Sequence, residues 1–363
     1  MRLTLVLTHQ CDLACEYCYT GRKFDRSLDP ALGRRAIDRA VAGLAPGEAL
    51  ELSLFGGEPL LEWPLARDLL RHAHARVARA GARLEPVMTT NGTRLDEATA
   101  DEALGLGVTL AVSMDGLPEV HDAVRPRRGG QRSSDAALRA IDLLVARGAP
   151  FRVISVVRPA TVDRLAAGTR FLADRGVRHF APNLDASAPW AQDDAPRLRA
   201  AVRGLHALWV ERAPGLRISW LDGKVHSLLH GAVARSCNVG VGEVAVAPSG
   251  RLYPCERLVG EDDGALAMGH VEDSEGPFAP FGGSARPGDD TACGDCATRP
   301  HCNNACACAN LARTGTLDGP DGLVCVLEQA CLEACLEDDA RPARGRLLPL
   351  TRARPTEVTR VGT

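Results

Sequence analysis

The amino-acid sequence predicts an α/β protein, and three observations carry that expectation. β-rich apolar runs alternate with amphipathic helical segments, most of those segments end in Gly, and chemistry-bearing motifs fall where the strands stop. Six runs are predicted as strands: RLTLVLT (2–8), LELSLF (50–55), LEPVMTT (84–90), VTLAVSM (108–114), FRVISVV (151–157) and HFAPNL (179–184). Ala/Arg/Leu-rich helices are predicted between them at 30–44, 65–81, 134–148 and 162–176. Consecutive right-handed βα units pair their strands in parallel and either open into a doubly wound sheet or curl into a barrel, and strand count does not decide which. In both cases function belongs at the C-terminal ends of the strands.

At 363 residues the chain exceeds one ordinary core and suits a barrel-sized domain with an appendage. With 45% hydrophobic and 25% charged residues it reads as soluble and globular, and a net charge of -3 gives no reason to expect a nucleic-acid partner. No run reaches the roughly 18 to 20 apolar residues of a membrane span, and MRLTLVLTHQCD lacks the apolar centre of a secretion signal, so a cytoplasmic protein without a membrane partner is expected. The 13 cysteines are unusual. Disulfide-dense domains are short and secreted, and an odd count leaves one thiol over, so metal ligation is the stronger reading. Three thiols lie within 11–18, none between 19 and 236, and ten within 237–335.

The first group, Cys11, Cys15 and Cys18, forms a CxxxCxxC array in HQCDLACEYCYTG directly after the first strand. GGEP (56–59) follows the second strand, TNG (90–92) ends the third and SMDG (113–116) ends the fourth, so four strand tips converge on one mouth. Three thiolates can hold three irons of a cubane 4Fe–4S cluster and leave the fourth iron open to an outside ligand. A structural zinc site takes four ligands, and His9 could supply the fourth, so this loop alone leaves zinc open. Gly56 and Gly57 would let backbone approach a small polar cofactor, and Glu58 could accept from an ammonium, although GGEP alone is also a plain turn.

Taken together, CxxxCxxC with Tyr17 before its last cysteine, then GGEP, TNG and SMDG, resemble the radical S-adenosylmethionine (SAM) superfamily over about residues 1–215. The resemblance implies a partial (β/α)6 barrel of the TIM type. It implies that Cys11, Cys15 and Cys18 hold a 4Fe–4S cluster whose open iron chelates SAM, and that an electron from the cluster cleaves SAM to a 5'-deoxyadenosyl radical that abstracts a substrate hydrogen. Gly56, Gly57, Glu58 and Pro59 are implied to receive the methionyl amino group. Ser113 and Asp115 are implied to lie beside the methionyl and ribose portions, with Asn91 and Tyr17 in the same cofactor-binding set. SMDGLPEVHDAVRP (113–126) resembles members that act on peptides and proteins, and there Arg125 suits the SAM carboxylate because a guanidinium grips it with two bonds. The alternatives are a surface arginine at a solvated helix start and, for His121, an ordinary capping or packing residue.

The second group runs Cys237, Gly250, Cys255, then Cys293, Cys296, Cys302 and Cys306, then Cys325. That spacing resembles the SPASM domain, whose members carry two auxiliary iron-sulfur clusters; paired zinc sites are the alternative for CxxC pairs. By this resemblance Cys293, Cys296, Cys302 and Cys325 ligate one 4Fe–4S cluster and Cys237, Cys255 and Cys306 the other. The fourth ligand of the latter is left to a substrate thiolate, Cys308, Cys331, Cys335 or a carboxylate. Cys331 and Cys335, at i and i+4 of a predicted helix, are more simply read as buried, inert thiols. Glu256 stands where sulfatase-maturing relatives carry an acidic base, which would suit two-electron oxidation; an exposed structural glutamate is the alternative.

The expected organisation is a radical SAM core over 1–215, a bridging segment over 216–235, a small, loop-rich SPASM domain over 236–336 and an Arg/Pro-rich tail over 337–363. MGHV (268–271) is a candidate short strand. With the first cysteine at residue 11 there is no room ahead of it for a leader-binding module, so a leader would be recognised by a separate protein, a loop of the cluster domain or the tail. The expected function is installation of a crosslink or other oxidative modification in a ribosomally synthesised peptide. The alternatives are oxidation of a protein Cys or Ser to formylglycine and, more distantly, a non-catalytic electron-transfer protein. The implied partners are the peptide or protein substrate and a reductant such as flavodoxin or ferredoxin.

Overall fold

The computed structural model describes residues 1–231, 239, 242–278, 293, 295–302, 307–317 and 321–337. Strands β1 (Arg2–Val6), β2 (Ala49–Phe55), β3 (Arg83–Thr90), β4 (Thr109–Ser113), β5 (Phe151–Val157) and β6 (His179–Leu184) fall on the six predicted runs. They pair in parallel and in sequence order, and the short β7 (Arg217–Ile218) extends them beside β6. Helices α1 (Pro30–Ala42), α2 (Trp63–Ala80), α3 (Glu97–Gly105), α4 (Pro118–Val124), α5 (Ser134–Ala146) and α6 (Leu165–Asp174) connect β1 through β6. After them come α7 (Asp194–Glu211) and α8 (Ser219–His230), the latter within the predicted bridging segment. The capping chemistry sets several ends: Asp29 accepts from Ala31 N–H at 2.7 Å ahead of Pro30, and Gly81 takes φ +66° to close α2.

Period-two alternation divides each strand between two buried environments. On β2, Leu50, Leu52 and Leu54 are all 0% exposed in the core, while Glu51, Ser53 and Phe55 face a cavity on the other side of the sheet. On β5 the inward set is Arg152, Ile154 and Val156. The sheet thus curls around a cavity, with the helices outside, as an incomplete barrel with edges at β7 and, on the far side, β10.

The sequence reading sets residues after 235 apart, whereas the structure shows the sheet continuing into them. β8 (Glu243–Val246) pairs in parallel with β1, from Arg2 opposite Glu243 to Leu5 opposite Val246. β9 (Arg251–Tyr253) and β10 (Gly269–His270, within MGHV) follow antiparallel. The physical reason is that β1 would otherwise leave a row of unpaired backbone groups at the barrel's opening. α9 (Ala307–Thr314) and α10 (Gly322–Leu336) complete the described elements, and α10 packs on α7 and α8. Cys331 and Cys335 on α10 are 1% and 0% exposed, Cys335 Sγ lies 3.7 Å from Leu221 O, and burial pushes the Cys331 thiol well above its ordinary range. Both therefore sit in the core, as the i, i+4 spacing suggests. Cys237, Cys306 and the tail from residue 338 lie outside the described residues. No helix among the described residues is long and apolar enough to cross a membrane.

Leu52 tests how tightly this layer is packed. Leu52→Ala should cost about 3 kcal/mol, read as a lower urea midpoint with an unchanged m value; a cost below about 1 kcal/mol would mean the layer collapses around the vacancy.

Candidate active site

The loop after β1 is pinned on two sides. Leu7 and His9 N–H donate to Phe55 O and Arg26 O at 2.8 and 3.0 Å, and Ala14 and Glu16 N–H donate to Pro126 O and Val124 O at 2.8 and 3.0 Å. GGEP is laid directly against it: Gly57 N–H reaches Thr8 O and Glu58 N–H reaches Gln10 O, both at 2.8 Å. A Cβ on Gly57 would stand 2.1 Å from Gln10 O, and one on Gly56, at φ +149°, 2.6 Å from Thr8 O. The room these glycines provide is thus taken by the backbone of the cysteine loop. Both glycines still border the cavity, where the sequence reading expects a cofactor.

Glu58 ties the second strand tip to the third. Its carboxylate is 0% exposed and accepts from the Thr90 hydroxyl at 2.7 Å, Asn91 N–H at 2.7 Å and Leu60 N–H at 3.0 Å. Burial outweighs these three donors and raises the carboxyl to about 7. Asn91 in turn sends its amide to Asp12 Oδ1 at 2.9 Å and toward Cys11 Sγ at 3.8 Å.

The three thiols of the loop differ in their surroundings. Burial pushes Cys11 up to about 12, partly countered by Leu13 N–H at 3.4 Å, and burial also raises Cys15. For Cys18 burial is again the largest effect, but the Lys23 ammonium at 2.9 Å and the Thr20 hydroxyl overcome it and lower the thiol. Among the described residues, the only three potential ligand groups with atoms within 4.8 Å of one another are Glu243, Cys255 and Glu256. The three loop sulfurs therefore do not all lie within 4.8 Å of one another, whereas the ligands of one zinc ion stand about 3.8 Å apart at a tetrahedral centre. His9 does not join them: its ring stacks on Phe24 at 4.3 Å, and Nε2 lies 4.0 Å from Asp262 Oδ2. Three spaced thiols on one cavity wall fit an iron cluster better than a zinc ion.

On the other side of the mouth, Asp115 and Arg125 form a buried ion pair, 7% and 6% exposed. Arg125 donates through Nε to Oδ2 at 2.8 Å and through Nη2 to Oδ1 at 3.2 Å, while Val156 N–H reaches Oδ1 at 2.8 Å and the Tyr17 hydroxyl also donates to Oδ2. Burial would raise the Asp115 carboxyl, but the Arg125 charge outweighs it and holds the group below its usual range. The guanidinium stacks 5.0 Å from the Tyr17 ring. Arg125 is thus a buried residue and not a surface arginine. His121, 0% exposed, accepts from Asp115 N–H through Nδ1 at 3.2 Å and meets Ser133 Oγ through Nε2 at 3.0 Å. Burial and the Arg125 charge push its imidazole down to about 4, so it is neutral.

These walls enclose a cavity of about 650 Å³. Cys11, Cys15, Cys18 and Tyr17 line it, as do Gly56, Gly57, Glu58, Asn91, Ser113 and Arg125. Asp115 and Pro59 do not; Asp115 stands behind Arg125 as its counter-ion. Glu256 lines the far wall with Cys308. Cys255 is buried beside it, its Sγ 3.6 Å from Glu256 Oε2, and Glu243 adjoins both. Burial first, and then the Glu256 charge, raises the Glu243 carboxyl. Cys293, Cys296 and Cys302 follow one another through turns (Cys296 N–H to Cys293 O, 3.3 Å; Cys302 N–H to Arg299 O, 3.2 Å), and Cys325 sits in the first turn of α10. None of these four lines the cavity. Sequence reasoning missed Lys23, Arg2, Glu51 and Arg152, all of which line it. Only the inward parity of the strand residues could have signalled the last three.

The family model described as the radical SAM superfamily matches residues 5–167. Mycofactocin maturase MftC of Mycobacterium ulcerans (strain Agy99) is 30% identical over 353 residues, covering 88% of this chain and 86% of that protein. The chain belongs to the radical SAM superfamily. A serine-type anaerobic sulfatase-maturating enzyme of Klebsiella aerogenes is 27% identical to this radical SAM protein over 265 residues, 69% of this chain. That match spans 64% of the Klebsiella enzyme, under two thirds of its length. The solved structure of native anSMEcpe with bound AdoMet and Kp18Cys peptide shares the fold at a TM-score of 0.77 and 16% identity, over 95% of this chain and 100% of the other. Radical SAM proteins bind a 4Fe–4S cluster and SAM, and these are this chain's cofactors.

Glu58 makes the site's buried charge measurable. A carboxyl whose pKa rises on folding stabilises fully below its unfolded value, near 4.5, and loses that contribution as pH climbs through about 7. Wild type should therefore lose about 3 kcal/mol relative to Glu58→Gln between pH 4.5 and 8 in urea unfolding. Parallel pH profiles for the two proteins would refute it.

Proposed function

We propose that this radical SAM protein is an enzyme that installs a crosslink or other oxidative modification in a ribosomally synthesised peptide. The observation that carries the reading is the likeness to mycofactocin maturase, which extends through the barrel and the cysteine-rich C-terminal region alike, over 88% of this chain.

In this reading Cys11, Cys15 and Cys18 hold the SAM-binding cluster, with the Lys23 ammonium beside Cys18 and the Asn91 amide toward Cys11. When bound, cluster and SAM would supply the radical chemistry of hydrogen abstraction from the substrate. The chain's own residues bind and orient. Gly56, Gly57 and Glu58, which line the cavity, would present backbone to the methionyl amino group, with Pro59 fixing the turn behind them, and Ser113 would offer a hydroxyl. Arg125, aimed by Asp115 and Tyr17, offers a cation for the SAM carboxylate. Cys293, Cys296, Cys302 and Cys325, and Cys237, Cys255 and Cys306, would hold two auxiliary clusters in a SPASM-type domain. Glu256, on the cavity wall, would accept the proton that leaves the oxidised substrate. A cytoplasmic reductant such as flavodoxin or ferredoxin and a separate leader-recognition protein complete the proposed partners. Placement of Glu256 on the cavity wall also favours a second reading, oxidation of a protein Cys or Ser to formylglycine.

Intact and fragment masses of a short peptide encoded beside this gene, coexpressed anaerobically, test the reading. A loss of two hydrogens mapped to a linkage between residues is expected; the same loss confined to one Ser, giving an aldehyde, would move the assignment to formylglycine formation. Cys15→Ala should abolish SAM cleavage while iron bound by the C-terminal cysteines remains, and retained cleavage would sink the radical assignment.

A further inference from the structure

The lower end of the cavity carries charge that the reaction above does not use. Arg152 faces inward from β5, four residues before Val156, whose N–H is bonded to Asp115. It is therefore about 13 Å down the strand from the mouth. Glu51, its nearest counter-charge, is already committed: the two carboxylate oxygens accept Arg2 Nε at 2.9 Å and Nη2 at 3.4 Å. Arg2 has a second carboxylate, Glu243, at 3.6 Å. Arg152 feels the Glu51 charge but has no such bond, and its Nε is buried without a hydrogen-bond partner among the described residues.

Buried charges are nearly always paired, so a cavity-lining guanidinium with no ion pair among the described residues points to an anionic group that arrives with a ligand. The donor set defines its chemistry. A guanidinium presents a planar fork that matches a carboxylate.

We propose that Arg152 anchors a carboxylate of the peptide substrate, supplied either by an acidic side chain or by the peptide's C-terminus. The proposal deepens the peptide-maturase reading and rests on it. It places the anchored end deep in the barrel, so that the carboxylate sets which part of the chain lies at the mouth, where the cysteine loop stands.

Three dansyl-labelled probes separate the sources: Gly-Ala-Glu-Ala-amide, Gly-Ala-Gln-Ala-amide, and Gly-Ala-Gln-Ala with a free carboxylate. Their anisotropy is titrated anaerobically with the reconstituted, SAM-loaded full chain. One or both carboxylate probes should bind about tenfold more tightly than the neutral amide, which also identifies the source. Arg152→Gln should erase that preference, and Arg152→Lys, which keeps the charge without the fork, should retain part of it. Thermal unfolding followed by circular dichroism verifies that each variant is folded. Equal binding of all three probes by the wild type, or a preference undiminished in folded Arg152→Gln, would overturn the proposal alone. Failure of the wild type to bind any of them would overturn the peptide reading and this proposal together.

Discussion

The Asp115–Arg125 ion pair is the contact on which the mouth of the cavity depends. Asp115 lies two residues after β4, Arg125 follows α4, Val156 belongs to β5 and Tyr17 to the cysteine loop, and one carboxylate bonds all three of the others. Burying two charges costs several kcal/mol per ion, and a pair repays that only when its remaining hydrogen-bonding capacity is met. Here it is met by the Val156 amide and the Tyr17 hydroxyl. The neutral His121 closes the arrangement from behind: it accepts from Asp115 N–H, so Nε2 carries its proton and donates to Ser133, whose hydroxyl donates to Arg125 O at 2.5 Å. The guanidinium is thereby held from both its side chain and its backbone.

Glu58 performs the corresponding task on the opposite side of the mouth with different electrostatics. Both carboxylates are nearly inaccessible, yet Asp115 is held below its ordinary range and Glu58 raised to about 7. A guanidinium offsets the desolvation of the first, whereas only a hydroxyl and two amides attend the second. The strand tips are consequently joined by an ion pair between the end of β4 and the end of α4, and by neutral donors between the tips of β2 and β3.

The C-terminal strands are part of this frame through Asp262. Its carboxylate accepts from Ser249 N–H and Oγ at 3.1 and 2.8 Å and from Tyr253 Oη at 3.0 Å, and it faces Arg26 at 3.3 Å and His9 at 4.0 Å. The residue adopts φ +58°, a conformation that Asp tolerates better than most side chains. The start of the cysteine loop is therefore steadied by residues more than 200 positions away, and β8 seals the edge of β1 alongside it.

The features that repeat locally were legible in the sequence. Period-two runs located β1 to β6, capping and Gly signals located four of the helices, and thiol spacing singled out the cysteine loop, because each depends on residues within a few positions of one another. The burial of Cys331 and Cys335 followed from i, i+4 geometry for the same reason. Tertiary structure alone decided which inward-facing residue meets which. Parallel strands join positions tens to hundreds of residues apart, so alternation can place Arg2, Glu51 and Arg152 on an inner face without saying that Glu51 pairs with Arg2 and leaves Arg152 unbonded. The same holds for the bonds that Asp115 makes to Arg125, Tyr17 and Val156, since long-range electrostatics and packing are properties of the assembled sheet.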